Sequence, residues 1–307
     1  MSFDFMKAVE YDKLPARFKK LYKFEDMQRL GYWLQRKYDG CFVKAVVNVE
    51  YGQCELYSRT GEVVLSMDHV KPALRKMAEA MTPDAQRVRH AWSDITIYGE
   101  AWYEGGQFPA ISGDFRRQSN SPRLQFVVND AVRGWDREAP YTARHAAIYL
   151  SGIPMHRPID PTPTAPVFGA MTYRAGEWAG NAAVFARLYQ SLGGYDGAIL
   201  RNPGTVYTPG LVKHGEIIKV KPLLSLDLKV HAIYAEQGEK TGRTVYTIDV
   251  IYNGVITRVG SGMPHDRIDI PDIGRIAQID CLGVTADGKL REPRFIAARY
   301  DKEEPDT

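Results

Sequence analysis

The sequence predicts an α+β protein, with strands and flanking helices over residues 1–223 and a small all-β barrel over residues 224–307. A chain of 307 residues is long enough for two domains with separate cores. Strand-like and helix-like patterns alternate through the first region. After Pro222 the pattern changes to short β-branched runs separated by turns, which is typical of a small barrel.

The first region contains a β-hairpin, further strands and helices. Residues 41–49 and 54–58 are rich in β-branched and apolar side chains, and EYGQ supplies the turn between them. The remaining predicted elements are strands at 95–105, 123–132, 195–202 and 216–222, and helices at 66–81, 141–150 and 174–192. Residues 152–166 contain repeated prolines, which remove backbone donors, and are therefore predicted to form a loop.

Local signals mark the ends of two of these helices. Ser66 or Asp68 is expected to cap the first helix, and Gly193-Gly194 is expected to end the last one. In the second region, four stretches are predicted to form strands with their turns: LDLKVHAIYAEQ, GRTVYTIDVIYNG, VITRVGSGM and RIAQIDCLGVTADG.

Composition excludes several classes of protein. Hydrophobic residues make up 44% and charged residues 25% of the chain, which are ordinary values for a soluble globular protein. No apolar run reaches the roughly 18 residues that a membrane span requires, and the N-terminal residues show no signal-peptide core. Cys41, Cys54 and Cys281 form no CxxC pair, so neither a zinc module nor a disulfide framework is predicted. A monomer in the cytoplasm is expected.

The charge is unevenly distributed. Residues 224–307 contain 11 basic and 14 acidic side chains, whereas the chain as a whole has a net charge of +3. The first region is therefore mildly basic. A basic surface is compatible with a polyanionic partner, although ordinary surface variation explains the charge equally well.

Five short polar clusters occur at the ends of the predicted strands. They are KYDG at 37–40, SRTG at 58–61, YGEAWY at 98–103, DGAILR at 196–201 and IIKVKP at 217–222. Each cluster also has a structural explanation, because Asp-Gly is a common turn and a lysine or glutamate on a strand is often a solvated charge. The functional interpretation depends on their combination.

The combination suits nucleotidyl transfer through a lysine. A lysine amine is nucleophilic only when deprotonated, and nearby cations and partial burial favour that form. Lys219 and Lys221 share one face of a strand and are placed to supply such a field and to neutralise a triphosphate. Glu100 and Asp196 are candidate ligands for a divalent metal, and Arg59 is a candidate phosphate contact. No GxxxxGK[ST], HExxH or GxSxG motif occurs.

In this order, the clusters resemble the nucleotidyltransferase motifs of the covalent ligase and capping-enzyme superfamily. DGAILRNPGTVYTPGLVKHGEIIKVKP, RVGSGM and TADGKLREPRFIAARYDK are similar to stretches of the small bacteriophage ATP-dependent DNA ligases. The resemblance extends over about residues 20–302. It implies a nucleotidyltransferase (adenylation) domain of antiparallel sheets with flanking helices, residues 1–223, followed by an OB-fold domain, residues 224–307. ATP is the implied donor, Mg²⁺ or Mn²⁺ the implied metal, and nicked duplex DNA the implied substrate.

The resemblance also implies roles for individual residues. Lys37 would be the nucleophile that carries AMP, and Lys219 and Lys221 would contact the α-phosphate and assist each transfer. Glu100 and Asp196 would hold the metal. The residues expected to bind the nucleotide are Gln35, Lys37, Asp39, Arg59, Glu100, Asn129, Asp196, Lys219, Lys221, Arg299 and Lys302. Arg299, Asp301 and Lys302 form an RxDK pattern that would approach the pyrophosphate during self-adenylation.

Three positions depart from the family pattern. Phe42 stands where the family usually has an arginine, and Asp196 stands where it usually has a glutamate. Asn129 occupies the position of the aromatic residue that usually stacks on adenine. Phe126 cannot simply replace that residue, because the two positions face opposite sides of a regular strand, and it is expected to belong to the core.

Two alternatives stay open. One is another enzyme of the superfamily, an RNA ligase or an mRNA guanylyltransferase, which the choice between ATP and GTP and the type of nick would distinguish. The other is a non-catalytic nucleic-acid-binding protein, which would form no covalent nucleotide on Lys37. If the chain is a DNA ligase, roles in DNA replication, repair and recombination follow, within the host cytoplasm if a bacteriophage encodes it.

Overall fold

The computed structural model describes residues 5–83, 94–157, 161–237, 242–285 and 287–306. The chain divides into two compact units, Met1–Lys221 and Pro222–Thr307. Within the described residues, β-sheet dominates both units and the helices are short. No helix in the described ranges has the length and apolar character needed to cross a bilayer.

The first unit contains thirteen strands and five α-helices among the described residues. The strands are β1 Met6–Lys7, β2 Val9–Glu10, β3 Trp33–Tyr38, β4 Cys41–Asn48, β5 Gln53–Ser58, β6 Asp94–Trp102, β7 Gln125–Arg133, β8 Met155–His156, β9 Val167–Ala170, β10 Thr172–Tyr173, β11 Tyr195–Arg201, β12 Gly210–Leu211 and β13 Ile217–Val220. The helices are α1 Ala16–Leu21, α2 Lys71–Ala80, α3 Phe108–Phe115, α4 Tyr141–Leu150 and α5 Ala182–Ser191.

Two large sheets organise this unit. One has the strand order β5-β4-β6-β7-β9-β8 and the other the order β10-β3-β11-β13-β2, while β1 pairs with β12 alone. The centres of both sheets are antiparallel, as expected, but β9 pairs in parallel with β7 and β8, and β2 pairs in parallel with β13. The expectation of wholly antiparallel sheets is therefore wrong at the edges. These parallel partners are joined by long connections rather than hairpins, so the chain can return in the same direction.

The hairpin β4–β5 forms where the sequence predicts it, and alternation explains how it is buried. Val43, Ala45 and Val47 are at most 1% exposed on one face of β4. That face packs against α2, whose Leu74 and Met77 belong to the same core. On the opposite face of β4, Phe42 lines the cavity described below.

Two of the predicted helices are shorter than expected. Helix α2 begins at Lys71 after a single 3₁₀ turn, and neither Ser66 nor Asp68 caps it. The Ser66 hydroxyl instead donates to the Phe115 carbonyl at 2.8 Å. Helix α5 begins at Ala182 rather than residue 174, because the Asn181 side chain accepts a hydrogen bond from the backbone of its first turn.

Some predicted elements have the expected bounds, and the structure also contains elements that were not predicted. Helix α4 has the predicted bounds, and α5 ends just before Gly193, whose φ of +75° suits a helix terminus. Helices α1 and α3 and strand β3 were not predicted. Strand β8 lies inside the stretch that was predicted to be a loop.

The second unit contains five strands, which are β14 Leu224–Gln237, β15 Thr244–Tyr252, β16 Val255–Val259, β17 Ile276–Cys281 and β18 Arg294–Arg299. Their order in the sheet is β16-β15-β14-β17-β18, with antiparallel neighbours. A parallel bridge between Ser261 and Arg294 joins the two edges, and the Phe295 N–H donates to the Ser261 carbonyl at 2.9 Å. The sheet therefore curls into a partly open barrel, as in OB-like domains.

Candidate active site

A cavity of about 290 Å³ lies in the first unit, lined by both large sheets. Strands β3, β11 and β13 of the five-stranded sheet supply basic and aliphatic side chains, and β4, β6 and β7 of the six-stranded sheet supply aromatic and acidic ones. The N-terminal segment from Phe5 to Ala8 also lines it. Of the site residues predicted from the sequence, the cavity is lined by Gln35, Lys37, Arg59, Glu100, Asn129, Lys219 and Lys221.

Two glycines shape the backbone around Lys37. A Cβ on Gly40 would lie 2.5 Å from the Ala101 carbonyl oxygen, so the start of β4 can approach β6 only with glycine there. Gly197 has a φ of +114° and lies in a β-bulge between Tyr195 and Ala198. Each Asp-Gly pair is thus more than a turn signal, because its glycine permits a backbone geometry beside the nucleophile candidate.

Lys37, Lys221 and Asp196 form a tight cluster, here called the cavity cluster. The Lys37 Nζ lies 2.7 Å from Asp196 Oδ2, and the Lys221 Nζ lies 3.1 Å from the same oxygen. Asp196 is 4% exposed. Burial raises the pKa of this carboxyl, but the two ammonium groups outweigh burial and hold the pKa below its usual value. The carboxylate is therefore ionised at neutral pH and fixes both lysines.

Glu100 has the opposite electrostatic character. Burial raises its pKa to about 7, although Lys37 and Arg59 counteract part of that shift and the negative charge of Asp39 adds to it. Asp39 itself is not among the cavity-lining residues, and its backbone N–H donates to the Gly194 carbonyl at 3.0 Å. Glu100 is consequently the carboxyl group of the site that changes charge near neutral pH.

The two predicted metal ligands have unused acceptor atoms. Among the described residues, Glu100 Oε2 and Asp196 Oδ1 are buried and accept no hydrogen bond. No cluster of three or more His, Cys, Asp or Glu side chains suited to a metal occurs in the described ranges. Mg²⁺ commonly uses only one or two carboxylates, with waters and substrate phosphates completing its octahedron. Glu100 lines the cavity and Asp196 does not, but the unused oxygens of both are of the kind that a magnesium or manganese ion binds.

Lys219 belongs to a different ion pair. Its Nζ lies 3.1 Å from Glu10 Oε1, and Glu10 also pairs with Lys13 at 2.6 Å. Burial alone would raise the pKa of Glu10, but the two lysines lower it below its ordinary value. The prediction that Lys219 and Lys221 share one face of a strand holds only for Lys219, because β13 ends at Val220 and Lys221 lies just beyond it. Lys219 pairs with Glu10 of β2, and Lys221 pairs with Asp196.

Arg59 lies at the entrance of the cavity and is exposed. Its guanidinium carbon is 5.6 Å from the centre of the Phe5 ring and 5.8 Å from that of Phe42. The turn that carries Arg59 is held by the Ser58 hydroxyl, which accepts from the Thr60 and Glu62 backbone N–H groups at 3.3 and 3.2 Å. A rigid turn and two rings therefore position this cation.

Asn129 lies at an irregular position in strand β7. It lies in a β-bulge of β7, where the pairing of Tyr98 and Gly99 shifts register, and it lines the cavity. Phe126 is fully buried, and a Cβ on Gly99 would lie 2.4 Å from its ring. Phe126 is thus a core residue, as the sequence predicted.

A buried network forms the floor of the cavity beneath Gln35. The Gln35 amide nitrogen donates to the Thr172 hydroxyl at 3.0 Å, and its oxygen accepts from Arg201 at 3.1 Å. Asp130 pairs with Arg201 at 3.3 Å and with Arg144 at 2.8 and 3.0 Å. Both oxygens of Asp130 are therefore used to fix the two arginines, and Arg201 in turn fixes the orientation of the Gln35 amide.

Arg299 and Lys302 belong to the second unit, in a group here called the tail cluster. Arg299 donates to both oxygens of Asp227 at 3.1 and 2.9 Å and to both oxygens of Asp301. Lys302 lies 2.8 Å from Asp227 and 3.1 Å from Asp306. The Asp227 N–H also donates to Asp306 at 2.7 Å, so the end of the chain is bound back onto β14.

Comparisons with known proteins identify the fold. No family model and no curated protein matches the sequence. A Lig E DNA ligase structure matches with a TM-score of 0.62 and 21% identity, covering 96% of this chain and 98% of that one. The ATP-dependent DNA ligase of bacteriophage T7, in complex with ATP, matches with a TM-score of 0.51 and 15% identity over 96% and 98%. This chain has the fold of DNA ligases.

A third ligase-fold structure, named Pmar-Lig, gives a TM-score of 0.66 at 16% identity. It is matched over 97% of this chain and 68% of its own. Identity is low in all three comparisons, so the likeness concerns the course of the backbone.

Sequence reasoning missed several residues that line the cavity, and also Glu10, which pairs with the lining residue Lys219. Glu10 and the Phe5–Ala8 segment lie far from the polar clusters in the chain and reach the site only through pairing of β1 with β12 and β2 with β13. Asp130 and Arg201 look like ordinary strand charges in the sequence. Asp130 follows Asn129 directly, and Arg201 is the last residue of DGAILR. These positions could have indicated that both residues belong to the site, since neighbouring strand ends meet at one edge of a sheet.

Proposed function

We propose that this protein is an ATP-dependent DNA ligase that seals nicks between a 5′-phosphate and a 3′-hydroxyl in duplex DNA. The observation that carries the proposal is the cavity cluster within a DNA ligase fold. A lysine amine lies 2.7 Å from a buried carboxylate that also binds a second lysine. Such a group is placed for covalent transfer of a nucleotide.

In the first step, the Lys37 amine attacks the α-phosphorus of ATP. A nitrogen–phosphorus bond forms, the bond from the α-phosphorus to the bridging oxygen breaks, and pyrophosphate leaves with that electron pair. The lysine proton passes to a nearby base or to solvent. Lys221 and Lys219 offset the negative charge that grows on the phosphate oxygens, which is the main way that such sites lower a barrier.

The second and third steps use DNA. An oxygen of the 5′-phosphate at a nick attacks the phosphorus of the AMP group, and the phosphorus–nitrogen bond to Lys37 breaks. The 3′-hydroxyl oxygen then attacks the phosphorus of the 5′-phosphate, its proton passes to solvent, and AMP leaves with the electron pair of the bond that breaks. Glu100 and Asp196 would hold a Mg²⁺ or Mn²⁺ ion, which supplies charge neutralisation at the phosphates when bound. Gln35 and Asn129 would contact the nucleoside, and Arg59 would contact phosphate or ribose at the entrance.

The two units would divide this work. The first would be the nucleotidyltransferase domain, and the second an OB-fold domain whose Arg299 and Lys302 approach the pyrophosphate in the first step. Both cations are held by carboxylates of their own unit, so a phosphate group would have to replace Asp227, Asp301 or Asp306 as their partner. A monomer acting in the cytoplasm is the simplest form of such an enzyme.

The decisive experiment is covalent labelling. The protein is first treated with pyrophosphate to remove any bound AMP, then incubated with Mg²⁺ and either α-labelled ATP or α-labelled GTP, and denatured. We expect label from ATP only, and none with Lys37→Ala. Lys23→Ala is a control that removes a lysine of the same unit that does not line the cavity.

The outcomes separate the candidate functions. Label from GTP would indicate capping chemistry rather than ligation. Label from ATP without sealing of a nicked DNA duplex, but with sealing of nicked RNA, would indicate an RNA ligase. Absence of label from both nucleotides would favour a non-catalytic nucleic-acid-binding protein.

A further inference from the structure

A group of buried polar side chains lies behind strand β3, on the face opposite to Lys37. Its members, here called the rear cluster, are Arg36, Tyr38, His156 and Tyr195, and each is at most 9% exposed. Alternation along β3 places Lys37 on one face of the strand and Arg36 and Tyr38 on the other. The rear cluster therefore holds the residues on both sides of the candidate nucleophile.

Arg36 is the centre of the rear cluster. Its Nη1 donates to the Tyr195 hydroxyl at 2.6 Å and lies 3.4 Å from His156 Nε2, and its Nη2 donates to the Arg157 carbonyl at 3.3 Å. The guanidinium carbon lies 4.7 Å from the centre of the Tyr195 ring and 5.6 Å from that of Tyr189. No carboxylate of the described residues pairs with Arg36, and its Nε makes no hydrogen bond to them. A buried cation held by neutral groups depends on each of them, because the loss of one leaves a desolvated donor.

Tyr38 joins the rear cluster from the other side of Lys37. Since a guanidinium only donates hydrogen bonds, His156 Nε2 accepts from Arg36 and the ring proton lies on Nδ1. That Nδ1 donates to the Tyr38 hydroxyl at 2.9 Å. One imidazole therefore connects the two β3 side chains that flank Lys37.

The rear cluster also holds the chain next to Asp196. Tyr195 pairs with Tyr38 across β11 and β3, and the β-bulge that follows extends to Ala198. Regular pairing is interrupted at Asp196, so the backbone hydrogen bonds between the strands do not by themselves fix its position. The side chain of Tyr195, which is bound to Arg36, therefore restrains the start of the bulge.

Trp102 of strand β6 packs against the same residues. Its indole N–H donates to the Gly194 carbonyl at 2.9 Å, and that carbonyl also accepts from the Asp39 N–H at 3.0 Å. The Trp102 ring stacks on Tyr195, with the ring centres 5.7 Å apart and the planes at 28°. The turn after β3 and the residue before β11 are therefore joined at one carbonyl.

We propose that the rear cluster positions Lys37 and Asp196 for nucleotidyl transfer, with Arg36 and Tyr195 as the positioning residues. The Arg36–Tyr195 hydrogen bond joins the residue before Lys37 to the residue before Asp196. The Asp196 carboxylate in turn holds the Lys37 amine at 2.7 Å. This inference rests on the proposed function, because it concerns the geometry of the same lysine. A displacement of about 1 Å at a reacting group can lower a rate on the order of 10²-fold, so a partial displacement should lower it about 10-fold.

The first test compares the loss of two buried tyrosine hydroxyls. Tyr195→Phe removes the hydroxyl that Arg36 binds, and Tyr32→Phe removes a hydroxyl that donates to the Gly215 carbonyl at 2.8 Å. The rate of covalent labelling is measured over a range of ATP concentrations. For Tyr195→Phe we expect the maximal rate to fall about 10-fold and the half-saturating ATP concentration to stay within about 2-fold, since the groups that would bind ATP are unchanged. Tyr32→Phe should change neither value.

A second measurement does not require ATP. Trace acetylation of the pyrophosphate-treated protein with acetic anhydride, followed by mass spectrometry, gives the reactivity of Lys37 relative to the exposed Lys23. A lysine released from its carboxylate is more often deprotonated, so Tyr195→Phe should raise the relative acetylation of Lys37 at least about 2-fold. Tyr32→Phe should leave it unchanged. Slower labelling by ATP together with faster acetylation would show that the geometry of Lys37 has changed rather than its capacity to react.

Three outcomes would overturn the positioning role. They are an equal loss of labelling rate in both phenylalanine variants, a change in half-saturating ATP concentration alone, and unchanged acetylation of Lys37 in Tyr195→Phe. If Tyr195→Phe does not fold, Tyr38→Phe removes the hydroxyl bound to His156 and carries the same expectations. Failure of the proposed function looks different, because the unaltered protein would then take no label from ATP, and acetylation would still decide whether the rear cluster holds Lys37.

Discussion

The cavity cluster and the tail cluster both hold cations against a carboxylate, but in opposite proportions. In the cavity, Lys37 and Lys221 share one carboxylate, that of Asp196. In the tail cluster, Arg299 and Lys302 have three carboxylates as partners: Asp227, Asp301 and Asp306. The cavity therefore keeps an excess of positive charge for a phosphate ligand, whereas the tail cluster must exchange a partner before it can bind one.

The same contrast is visible in the carboxyl pKa values. Burial raises the pKa of Glu100 to about 7. The hydrogen bond from Arg299 lowers the pKa of the exposed Asp301 to about 2. One unit thus has an acid that titrates near neutral pH, and the other has acids that stay ionised across the physiological range. Changes of pH should affect the cavity and spare the tail cluster.

The largest expected effect comes from removing the shared charge of the cavity. Asp196→Asn leaves Lys37 and Lys221 without a common anionic partner, so their mutual repulsion displaces the nucleophile. We expect the rate of covalent labelling by ATP to fall on the order of 10²-fold, as for loss of one group that stabilises a transition state. Quenched-flow or gel measurement of label on Lys37 gives the rate.

Asp249→Asn is the matched control for this change. Asp249 is also a buried carboxylate, and it pairs with Arg258 at 2.8 Å in the second unit. The Asp249→Asn substitution should leave the rate of labelling by ATP nearly unchanged. If both variants lose the same fraction of the labelling rate, any buried ion pair supports labelling through stability alone. Asp196 would then have no specific role at Lys37.

The next effect concerns the pH dependence of stability. Because folding raises the pKa of Glu100 from 4.5 to about 7, the folded state binds more protons than the unfolded state between these values. The contribution of Glu100 to the free energy of unfolding is therefore fully present below about pH 4.5 and is lost as the pH rises through about 7. Glu100→Gln cannot ionise, so it should be more stable than the unaltered protein at pH 8, by up to about 3 kcal/mol.

Denaturant unfolding at a series of pH values measures this difference. The two free energies of unfolding should converge near pH 4.5 and separate toward pH 8. Glu62→Gln replaces an exposed glutamate on the turn after β5 and should follow the unaltered protein throughout. A constant offset between Glu100→Gln and the unaltered protein would show that Glu100 is not the titrating group.

The smallest effect is expected in the tail cluster. Asp227→Asn removes the anchor that Arg299 and Lys302 share, and we expect the second unit to lose about 1–2 kcal/mol of stability, since these charged hydrogen bonds are partly exposed. Asp280→Asn, on the neighbouring strand β17, should cost less. Thermal unfolding followed by near-ultraviolet circular dichroism tests both variants. If Asp280→Asn loses more stability than Asp227→Asn, Asp227 is not the anchor of the tail cluster.

Local patterns predicted much of the fold. The β4–β5 hairpin, helix α4 and the change of architecture after Pro222 follow from periodicity and turn chemistry, which act over a few residues. The starts of α2 and α5 were less predictable. The Ser66 hydroxyl donates to the Phe115 carbonyl instead of capping α2, and Asn181 caps α5 several residues after the predicted start. Strand β3 was missed since its residues, WLQRKY, carry no simple alternation.

The candidate site also combines features that local patterns predict with contacts that they do not. The placement of Lys37, Lys219 and Lys221 around one cavity was anticipated from short spacings and the family resemblance. The Glu10–Lys219 pair and the place of Phe5 and Met6 in the cavity lining were not, because they depend on parallel pairing between segments about 200 residues apart. No local pattern in the sequence specifies such a contact.

The N-terminal segment has a practical consequence for anyone preparing this protein. Phe5 and Met6 are bound to Gly210 and Tyr207 and form part of the cavity lining. A purification tag fused ahead of Phe5 would therefore lie within a few residues of the cavity lining. Removing such a tag by protease before any affinity is measured avoids this interference.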